Sequence, residues 1–327
     1  MIIRHRFLTA ALLLSALAVP AAQARDTGHI FVSSEKDNAV TVLDGQSLAV
    51  VKVIATGKRP RDMRLSLDRK QLYVIASDSQ RLDIIDIAQL TVVGKVAVGE
   101  DPEMFDLAAD GKRIYVSNEE DAAVSVIDLA SKKRVAEIEV GEEPEGVKLS
   151  PDGKRVYVTS EVANMVHVID TGSHQILANV VVGNRPRRFA ITPDGGEVWV
   201  TNELGGAVTL IDGQTHAVKA SIPFKPKGFR DEDVTPVGIT MTRDGKTAYV
   251  TLGRANHVAV VDVASRKVED YILVGQRAWG ATLDRKEARL FVVNGLSDDI
   301  SVVDTASRKV LRSVPVGRVP HTVVIDD

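Results

Sequence analysis

Residues 140–170 read VGEEPEGVKLSPDGKRVYVTSEVANMVHVID, and this stretch decides the fold. It holds a Val-Gly-x-x-Pro loop, a short apolar run, a Pro-Asp-Gly-Lys turn, a Tyr-Val-Thr segment and a Val-x-Val-Ile-Asp segment. Val, Ile, Tyr and Thr favour strands, and Pro-Asp-Gly favours a tight turn because Pro presets one dihedral angle and Gly permits a positive φ. The stretch and the residues that follow it predict strands over 146–149, 155–160, 166–169 and 176–182.

The same pattern recurs along nearly the whole chain. The aromatic residues of the Tyr-Val-Thr segments are Phe31, Tyr73, Tyr115, Tyr157, Trp199, Tyr249 and Phe291. The aspartates that end the Val-Ile-Asp segments are Asp44, Asp86, Asp128, Asp170, Asp212, Asp262 and Asp304. Within each of these two sets, or columns, of equivalent residues, successive members lie 42 residues apart, except for one interval of 50 residues. A period of about 40–45 residues with four short strands in each unit is typical of β-propeller blades.

The repeat predicts an all-β fold, a seven-bladed β-propeller of four-stranded antiparallel blades over residues 25–327. Seven units of 42 residues and one 8-residue insertion come to 302 of the 303 residues that follow residue 24. The chain would therefore begin and end in the same blade. Residues 321–325 would supply the first strand of that blade, and the N-terminal part would supply the other three. Such a closure leaves no open sheet edge.

The first 24 residues differ from the repeats. Arg4 and Arg6 precede an apolar run from Phe7 to Val19, and Ala-Gln-Ala follows at 22–24. This pattern is typical of a secretory signal peptide, and its apolar run is short for a spanning helix. We expect cleavage after residue 24 and a periplasmic mature protein, with a retained membrane anchor as the alternative. No other apolar run is long enough to span a bilayer.

Charge and cysteine content exclude several classes of protein. The chain has 41 Lys and Arg against 44 Asp and Glu, and loss of Arg4 and Arg6 would leave 39 against 44. An acidic balance argues against nucleic-acid binding, which needs a basic surface. The absence of cysteine rules out disulfides, c-type haem attachment and thiolate metal sites. The expected partners are a periplasmic protein or a small-molecule ligand.

The repeats resemble a known family. Tyr115-Val116-Ser117-Asn118 and Tyr157-Val158-Thr159, set within Gly-x-x-Pro and Asp-Gly-Lys units, resemble the YVTN-type β-propeller repeats. With the signal peptide, the run of units is most similar to the PQQ-dependent catabolism-associated β-propeller proteins. Such proteins are encoded beside periplasmic quinoprotein alcohol-oxidation systems. The resemblance implies a compartment and a pathway, whereas it implies no reaction, because one fold can serve many functions.

The loops between blades indicate where a site would lie. The residues that follow the loop prolines, or stand in the same repeat position, are Arg61, Glu103, Glu145, Arg187, Val237, Trp279 and His321. The residues just past the Tyr-Val-Thr segments are Glu35, Ser77, Glu119, Glu161, Glu203, Gly253 and Gly295. We expect both columns on one face of the ring, around the central channel. Carboxylates would face Arg61, Arg187 and Arg188 on one side, and Trp279 would mark an apolar, open side.

This uneven channel mouth predicts ligand or partner binding. The candidate binding residues are Arg61, Glu103, Glu145, Arg187, Arg188, Trp279, His321 and Phe229. The alternative is that the ion pairs only hold neighbouring blades in register. Phe229 belongs to the insertion at 223–235, which also contains Phe224. We expect this long loop to flank Trp279 and to form a lip over the channel, or else to be a tolerated insertion without a role.

Metal and catalytic motifs are missing from the sequence. The seven repeat aspartates are expected to accept backbone N–H groups in turns. No His-x-His or His-x-x-x-His pair occurs, so we expect no preassembled metal site. We expect His167 to be a packed, hydrogen-bonded strand residue. His321 at the mouth could act as an acid, a base or a ligand beside Glu35 or Glu103, although a structural role is the commoner one.

We therefore predict a non-catalytic periplasmic binding or accessory protein, serving a PQQ-dependent alcohol-oxidation pathway. The alternative is a lactonase-like hydrolase that uses Glu103, Glu145 and His321, with a divalent cation held by oxygen ligands. A purely structural assembly factor is a third possibility. No cofactor motif is present. PQQ is a tricarboxylate that cationic channel residues could hold, but the mouth glutamates oppose it, and no motif supports PQQ or a divalent cation.

Overall fold

The structure, a computed structural model, describes residues 26–327, so the predicted signal peptide lies outside the described residues. Residues 26–327 form seven four-stranded antiparallel sheets arranged as the blades of a propeller, as the repeat predicts. Short 3-10 helices lie at Glu35–Asp37, Ser77–Ser79 and Asp231–Asp233. Over this range no helix has the length and apolar character needed to cross a bilayer.

We number the blades from the one that contains both chain ends. Blade 1 holds β1 (His29–Ser34), β2 (Ala39–Asp44), β3 (Val50–Ala55) and β28 (Pro320–Asp326). Blade 2 holds β4 (Pro60–Leu65), β5 (Gln71–Ala76), β6 (Arg81–Asp86) and β7 (Thr91–Ala97). Blade 3 holds β8 (Pro102–Leu107), β9 (Arg113–Asn118), β10 (Ala123–Asp128) and β11 (Lys133–Glu139). Blade 4 holds β12 (Pro144–Leu149), β13 (Arg155–Ser160), β14 (Met165–Asp170) and β15 (Ile176–Val181).

The remaining three blades follow in chain order. Blade 5 holds β16 (Pro186–Ile191), β17 (Glu197–Asn202), β18 (Ala207–Asp212) and β19 (Val218–Pro223). Blade 6 holds β20 (Ile239–Met241), β21 (Thr247–Thr251), β22 (His257–Asp262) and β23 (Lys267–Leu273). Blade 7 holds β24 (Ala278–Leu283), β25 (Arg289–Asn294), β26 (Asp299–Asp304) and β27 (Lys309–Pro315). The strands predicted in blade 4 are all present, and their ends shift by no more than two residues.

Blade 1 closes the ring. β28 pairs antiparallel with β1, so that Ile30 lies opposite Ile325 and Phe31 lies opposite Val324. The Asp326 carboxylate also accepts hydrogen bonds from the backbone N–H (2.8 Å) and the hydroxyl (2.6 Å) of Thr27. The two ends of the described chain therefore hold each other in one sheet, as the residue count predicts.

The core lies between neighbouring blades. Tyr115, Val124 and Val126 of blade 3 pack against Val158 and Ile169 of blade 4, for example, and all five are buried. Burying one such side chain contributes roughly 1.5–3 kcal/mol. The alternation of large and small side chains along the third strands lets the sheets stack face to face.

The repeated polar residues stabilise turns. At Asp170, Oδ1 accepts the backbone N–H groups of Gly172 (3.1 Å) and Ser173 (2.7 Å). Each of the other six repeat aspartates also accepts a hydrogen bond from the backbone N–H of the residue three positions later in the chain. The Asp-Gly turn uses a glycine at φ 69° in Gly153. The structural interpretation of these aspartates is confirmed.

Candidate functional site

The loops that enter the first strands surround a cavity of about 410 Å³ at one end of the channel. Nine of the residues in the two predicted columns line it, namely Glu35, Arg61, Glu119, Glu145, Arg187, Glu203, Trp279, Gly295 and His321. The two columns therefore meet on one face of the ring. We call this space the mouth cavity.

Hydroxyl groups of the second strands position the residues at the mouth. The Thr159 hydroxyl donates to the carbonyl of Arg187 in the next blade (2.9 Å). Ser117 donates in the same way to Glu145 (2.5 Å), and Ser33 to Arg61 (2.7 Å). A hydroxyl residue at this repeat position thus fixes the backbone of Arg61, Glu145 and Arg187.

Blades 2 to 5 contribute a dense network of ion pairs. We call the following set the ion-pair side: Arg59, Arg61, Glu103, Glu145, Glu161, Arg185, Arg187 and Glu203. Arg187 donates a hydrogen bond to Glu161 and forms an ion pair with Glu145 at 3.0 Å, while Arg61 pairs with Glu103. The Arg187 side chain is only 4% exposed. The charges of these groups compensate one another across four neighbouring blades, although the buried Nε atoms of Arg185 and Arg187 find no hydrogen-bond acceptor among the described residues.

Burial and charge shift the carboxyl groups of the ion-pair side in opposite directions. Burial alone would raise the pKa of Glu145, but Arg187, Arg61 and Arg188 outweigh it and hold that pKa at about 2. Burial raises the pKa of Glu161 to about 7 even though Arg187 opposes the shift. Burial, with repulsion from Glu145, also raises the pKa of Glu103 well above its ordinary value.

His321 on β28 is buried between two guanidinium groups. Its Nε2 accepts hydrogen bonds from Arg61 Nε (3.3 Å) and Arg188 Nη2 (2.9 Å), and its Nδ1–H donates to the Thr322 hydroxyl (2.9 Å). Burial and the neighbouring arginines lower the pKa of His321 well below 6.5. We expected a carboxylate beside this ring. Its Nε2 partners are instead two cations, and Arg61 contacts the ring through Nε and pairs with Glu103 and Glu145 through its Nη atoms.

The other side of the mouth cavity has hydrogen-bond donors without acceptors. We call the following set the open side: Leu204, Arg254, Arg277, Trp279, Leu296 and Val319. Within residues 26–327, neither Arg254 nor Arg277 has a carboxylate within ion-pair distance, although the structure assigns such partners to 15 other arginines. The Arg277 guanidinium lies 4.9 Å from the centre of the Trp279 ring, whose buried Nε1 has no acceptor. Burial lowers the pKa of Arg277.

Arg254 and Arg277 were not among the predicted site residues. The predicted open side was apolar, whereas the structure places two guanidinium groups beside Trp279. Arg277 occupies the repeat position just before the loop proline, where φ is positive, at 56°. Arg59 and Arg185 occupy the same repeat position and also line the mouth cavity. The prediction used the residues that follow the loop proline. The arginines that precede it could have indicated Arg277.

Arg188 lies elsewhere than predicted. It follows Arg187 on β16 but lines a second cavity, of about 500 Å³, to which all seven blades of the described chain contribute through their first strands or the residues beside them. The side chains of successive strand residues point in different directions, so Arg187 lines the mouth cavity and Arg188 lines the second cavity. Arg188 therefore does not line the mouth cavity, although its charge still helps to lower the pKa of Glu145.

The insertion also differs from its prediction. Phe224 is buried, and the ring of Phe229 packs edge-on against His257 of blade 6 at 5.4 Å between ring centres. Both belong to the apolar cluster between blades 5 and 6, and no residue of 223–235 lines the mouth cavity. The insertion does not form a lip beside Trp279, because its aromatic side chains fill the space between two blades.

Two further predictions concern histidine and metal ligands. His167 Nε2 lies 2.9 Å from the Ser160 hydroxyl, and its Nδ1 lies 2.7 Å from Asn179 Oδ1, which confirms its packed role. Carboxylate oxygens of Asp101, Glu103 and Glu119 lie within 4.8 Å of one another and are the described groups most suited to a cation. Arg59 already pairs with Asp101 (3.1 Å) and Glu103 (3.3 Å).

Solved structures with the same fold have diverse functions. Hydrazine synthase of Kuenenia stuttgartiensis matches with a TM-score of 0.79 and 22% identity, over 86% of this chain and 93% of that chain. The periplasmic gluconolactonase PpgL of Pseudomonas aeruginosa matches with a TM-score of 0.77 and 20% identity, over 91% and 99%. The dihydro-heme d1 dehydrogenase NirN in complex with DHE matches with a TM-score of 0.70 and 15% identity, over 94% and 77%. At these identities the likeness shows the fold alone.

Sequence families give a closer assignment. No curated protein matches the chain. The YNCE-like beta-propeller family matches residues 13–105. The choice-of-anchor I domain family matches residues 120–289, which are 170 of the 327 residues. Neither description mentions PQQ. The chain therefore belongs to the choice-of-anchor I domain family, and it folds as a seven-bladed β-propeller.

Proposed function

We propose that this protein is a non-catalytic binding protein that holds a small carboxylate-bearing ligand on the open side of its mouth cavity. The observation that carries the proposal is the set of donors without acceptors at Arg254, Arg277 and Trp279 Nε1. A guanidinium group presents a planar fork that matches a carboxylate. Leu204 and Leu296 beside them offer contact to an apolar ligand body. A cavity of about 410 Å³ is within the usual range for small-molecule sites.

The ion-pair side supports a binding role over a catalytic one. Glu145 and Glu161 are engaged by Arg187, and His321 Nε2 accepts hydrogen bonds from two guanidinium groups. A general base needs a free lone pair within reach of the substrate proton. The lone pair of His321 is already used, so the groups that the hydrolase hypothesis assigned to proton transfer stabilise the ring instead.

The proposal also includes a periplasmic location and a role in a PQQ-dependent alcohol-oxidation pathway. They rest on the signal-peptide pattern and on the resemblance of the repeats. PQQ is a planar tricarboxylate, which gives the open side a suitable probe. An acidic segment of a partner protein would offer the same carboxylate chemistry, and a pull-down from periplasm of cells grown on an alcohol would identify it.

Calorimetric titration of PQQ into the mature protein tests the proposal. We expect saturable binding that weakens at least ten-fold in Arg277→Met, since the substitution removes a charged donor but keeps an unbranched side chain. The matched control is Arg243→Met, because Arg243 is exposed and pairs with Glu287 in a turn away from the mouth cavity. Equal affinity in Arg277→Met and in the wild type, or no binding of PQQ, would contradict the proposal.

A lactonase-like hydrolase is the second candidate. The group of Asp101, Glu103 and Glu119 favours it, since oxygen ligands at this spacing suit Ca²⁺ or Mg²⁺, and the fold is shared with a periplasmic gluconolactonase. Hydrolysis of a lactone panel with either cation, lost in Glu119→Gln and His321→Ala, would establish this function. No hydrolysis over that panel would eliminate it.

A further inference from the structure

The second cavity lies within the channel and is separate from the mouth cavity. Its volume is about 500 Å³, and His321 is the one residue of the described chain that lines both spaces. Met63, Met104 and Phe189 give it apolar walls. It takes no part in the binding proposed for the mouth cavity.

The charges around this cavity do not balance. Arg64 pairs with Asp62 (3.6 Å) and Asp106 (3.4 Å), and Lys148 pairs with Asp106 (3.2 Å). The third cation, Arg188, has no carboxylate within ion-pair distance among the described residues. The cavity therefore presents one positive charge that its own carboxylates leave uncompensated.

Arg188 is buried and only partly hydrogen-bonded. The residue is 9% exposed, its Nη2 donates to His321, and its buried Nε has no acceptor in the part of the chain that the structure describes. A Cβ atom on Gly280 would lie 2.9 Å from Arg188 Nη1, so the absence of a side chain there makes room for the guanidinium group. Burial lowers the pKa of Arg188 to about 10, although the charges of Glu145 and Asp62, beyond ion-pair distance, oppose the shift. A buried unpaired charge is costly unless a counterion joins it.

We propose that the second cavity binds a small monoanion, a carboxylate with a short apolar body, on the guanidinium group of Arg188. One uncompensated charge suits one carboxylate, and Arg188 Nη1 donates no hydrogen bond within residues 26–327, which leaves it available to a ligand. Met63, Met104 and Phe189 contact the apolar part. This site is independent of the proposed function, because none of its cationic residues belongs to the open side.

Methionine methyl groups can report on this cavity alone. Met63, Met104 and Met241 line it, whereas Met165 does not, and none of the four lines the mouth cavity. In mature protein labelled with ¹³C at the methionine methyls, we expect sodium butyrate to shift the Met63 and Met104 signals saturably and to leave Met165 unchanged. Butyramide, which has the same shape without the charge, should produce no saturable shift.

Two variants test the role of Arg188. Arg188→Gln should weaken butyrate binding at least ten-fold, whereas Lys148→Gln should change it less than three-fold, since Lys148 already pairs with Asp106. The inference is overturned if butyrate gives no saturable shift, if butyramide binds as well, or if folded Arg188→Gln binds like the wild type. Should Arg188→Gln fail to fold, the contrast between butyrate and butyramide in the wild type decides.

Discussion

The ion-pair side and the open side of the mouth cavity share one backbone frame but differ in how their charges are satisfied. On the ion-pair side, Arg61 and Arg187 reach carboxylates of neighbouring blades. On the open side, Arg254 and Arg277 have no carboxylate within ion-pair distance among residues 26–327, and Trp279 keeps a buried donor without an acceptor. The difference teaches that equivalent repeat positions can stabilise the ring on one side and be left available to a ligand on the other.

The largest effect should come from breaking the ion-pair side. Arg187→Met leaves Glu145 and Glu161 buried without their main cation. Truncating one member of a buried ion pair typically costs about 3–5 kcal/mol, because the remaining charge loses its compensation. We expect a loss of that size in the free energy of unfolding, measured with urea. A loss under about 1 kcal/mol would mean that the network does not hold the blades together.

His321, which lies between the two sides, should make stability depend on pH. Its folded-state pKa is well below 6.5, so the unfolded chain takes up the proton first as the pH falls through 6.5. The stability that the neutral ring contributes is therefore present above pH 6.5 and is lost on acidification, by up to about 1.4 kcal/mol per pH unit.

Urea unfolding at several pH values between 5 and 8 checks this expectation. His321→Gln keeps an acceptor for the arginines but cannot take up the proton. The variant should show a shallower fall in stability below pH 6.5 than the wild type, and the two proteins should run parallel above pH 7. Identical slopes below pH 6.5 would contradict the buried, neutral state of the ring.

Removing one hydrogen-bond donor of the open side tests whether that side binds the ligand. Trp279→Phe deletes the Nε1–H but retains an aromatic ring near Arg277. We expect PQQ binding to weaken about five-fold, which corresponds to roughly 1 kcal/mol for one hydrogen bond. Calorimetry measures this loss, with Trp199→Phe as the contrasting change inside the apolar core, where stability rather than binding should fall.

The smallest effect should be that of Arg277→Met on stability. Among the described residues Arg277 has no carboxylate within ion-pair distance, so its loss leaves no buried charge there uncompensated. We expect the free energy of unfolding to change by less than about 1 kcal/mol, as for most substitutions outside the core. A loss as large as that of Arg187→Met would remove the distinction between the two sides.

The features of the fold that follow from the repeat could be predicted from the sequence. The 42-residue period specifies the blades, the turn aspartates and the meeting of two loop columns at the mouth cavity. The period could not specify the partners of each side chain, because these depend on which neighbours reach it across a blade boundary. Arg188 therefore lies in the second cavity, and Phe229 packs between blades 5 and 6. Arg277 was missed because only the position after the loop proline was considered.

A crystal structure of the mature protein with bound PQQ tests the central claim most directly. We predict that PQQ carboxylates lie within hydrogen-bond distance of Arg277 and Arg254, with the pairs of Arg187 to Glu145 and Glu161 unchanged. Carboxylates bound instead to Arg61 or Arg187, with the glutamates displaced, would contradict the account, as would a mouth cavity that stays empty at saturating PQQ.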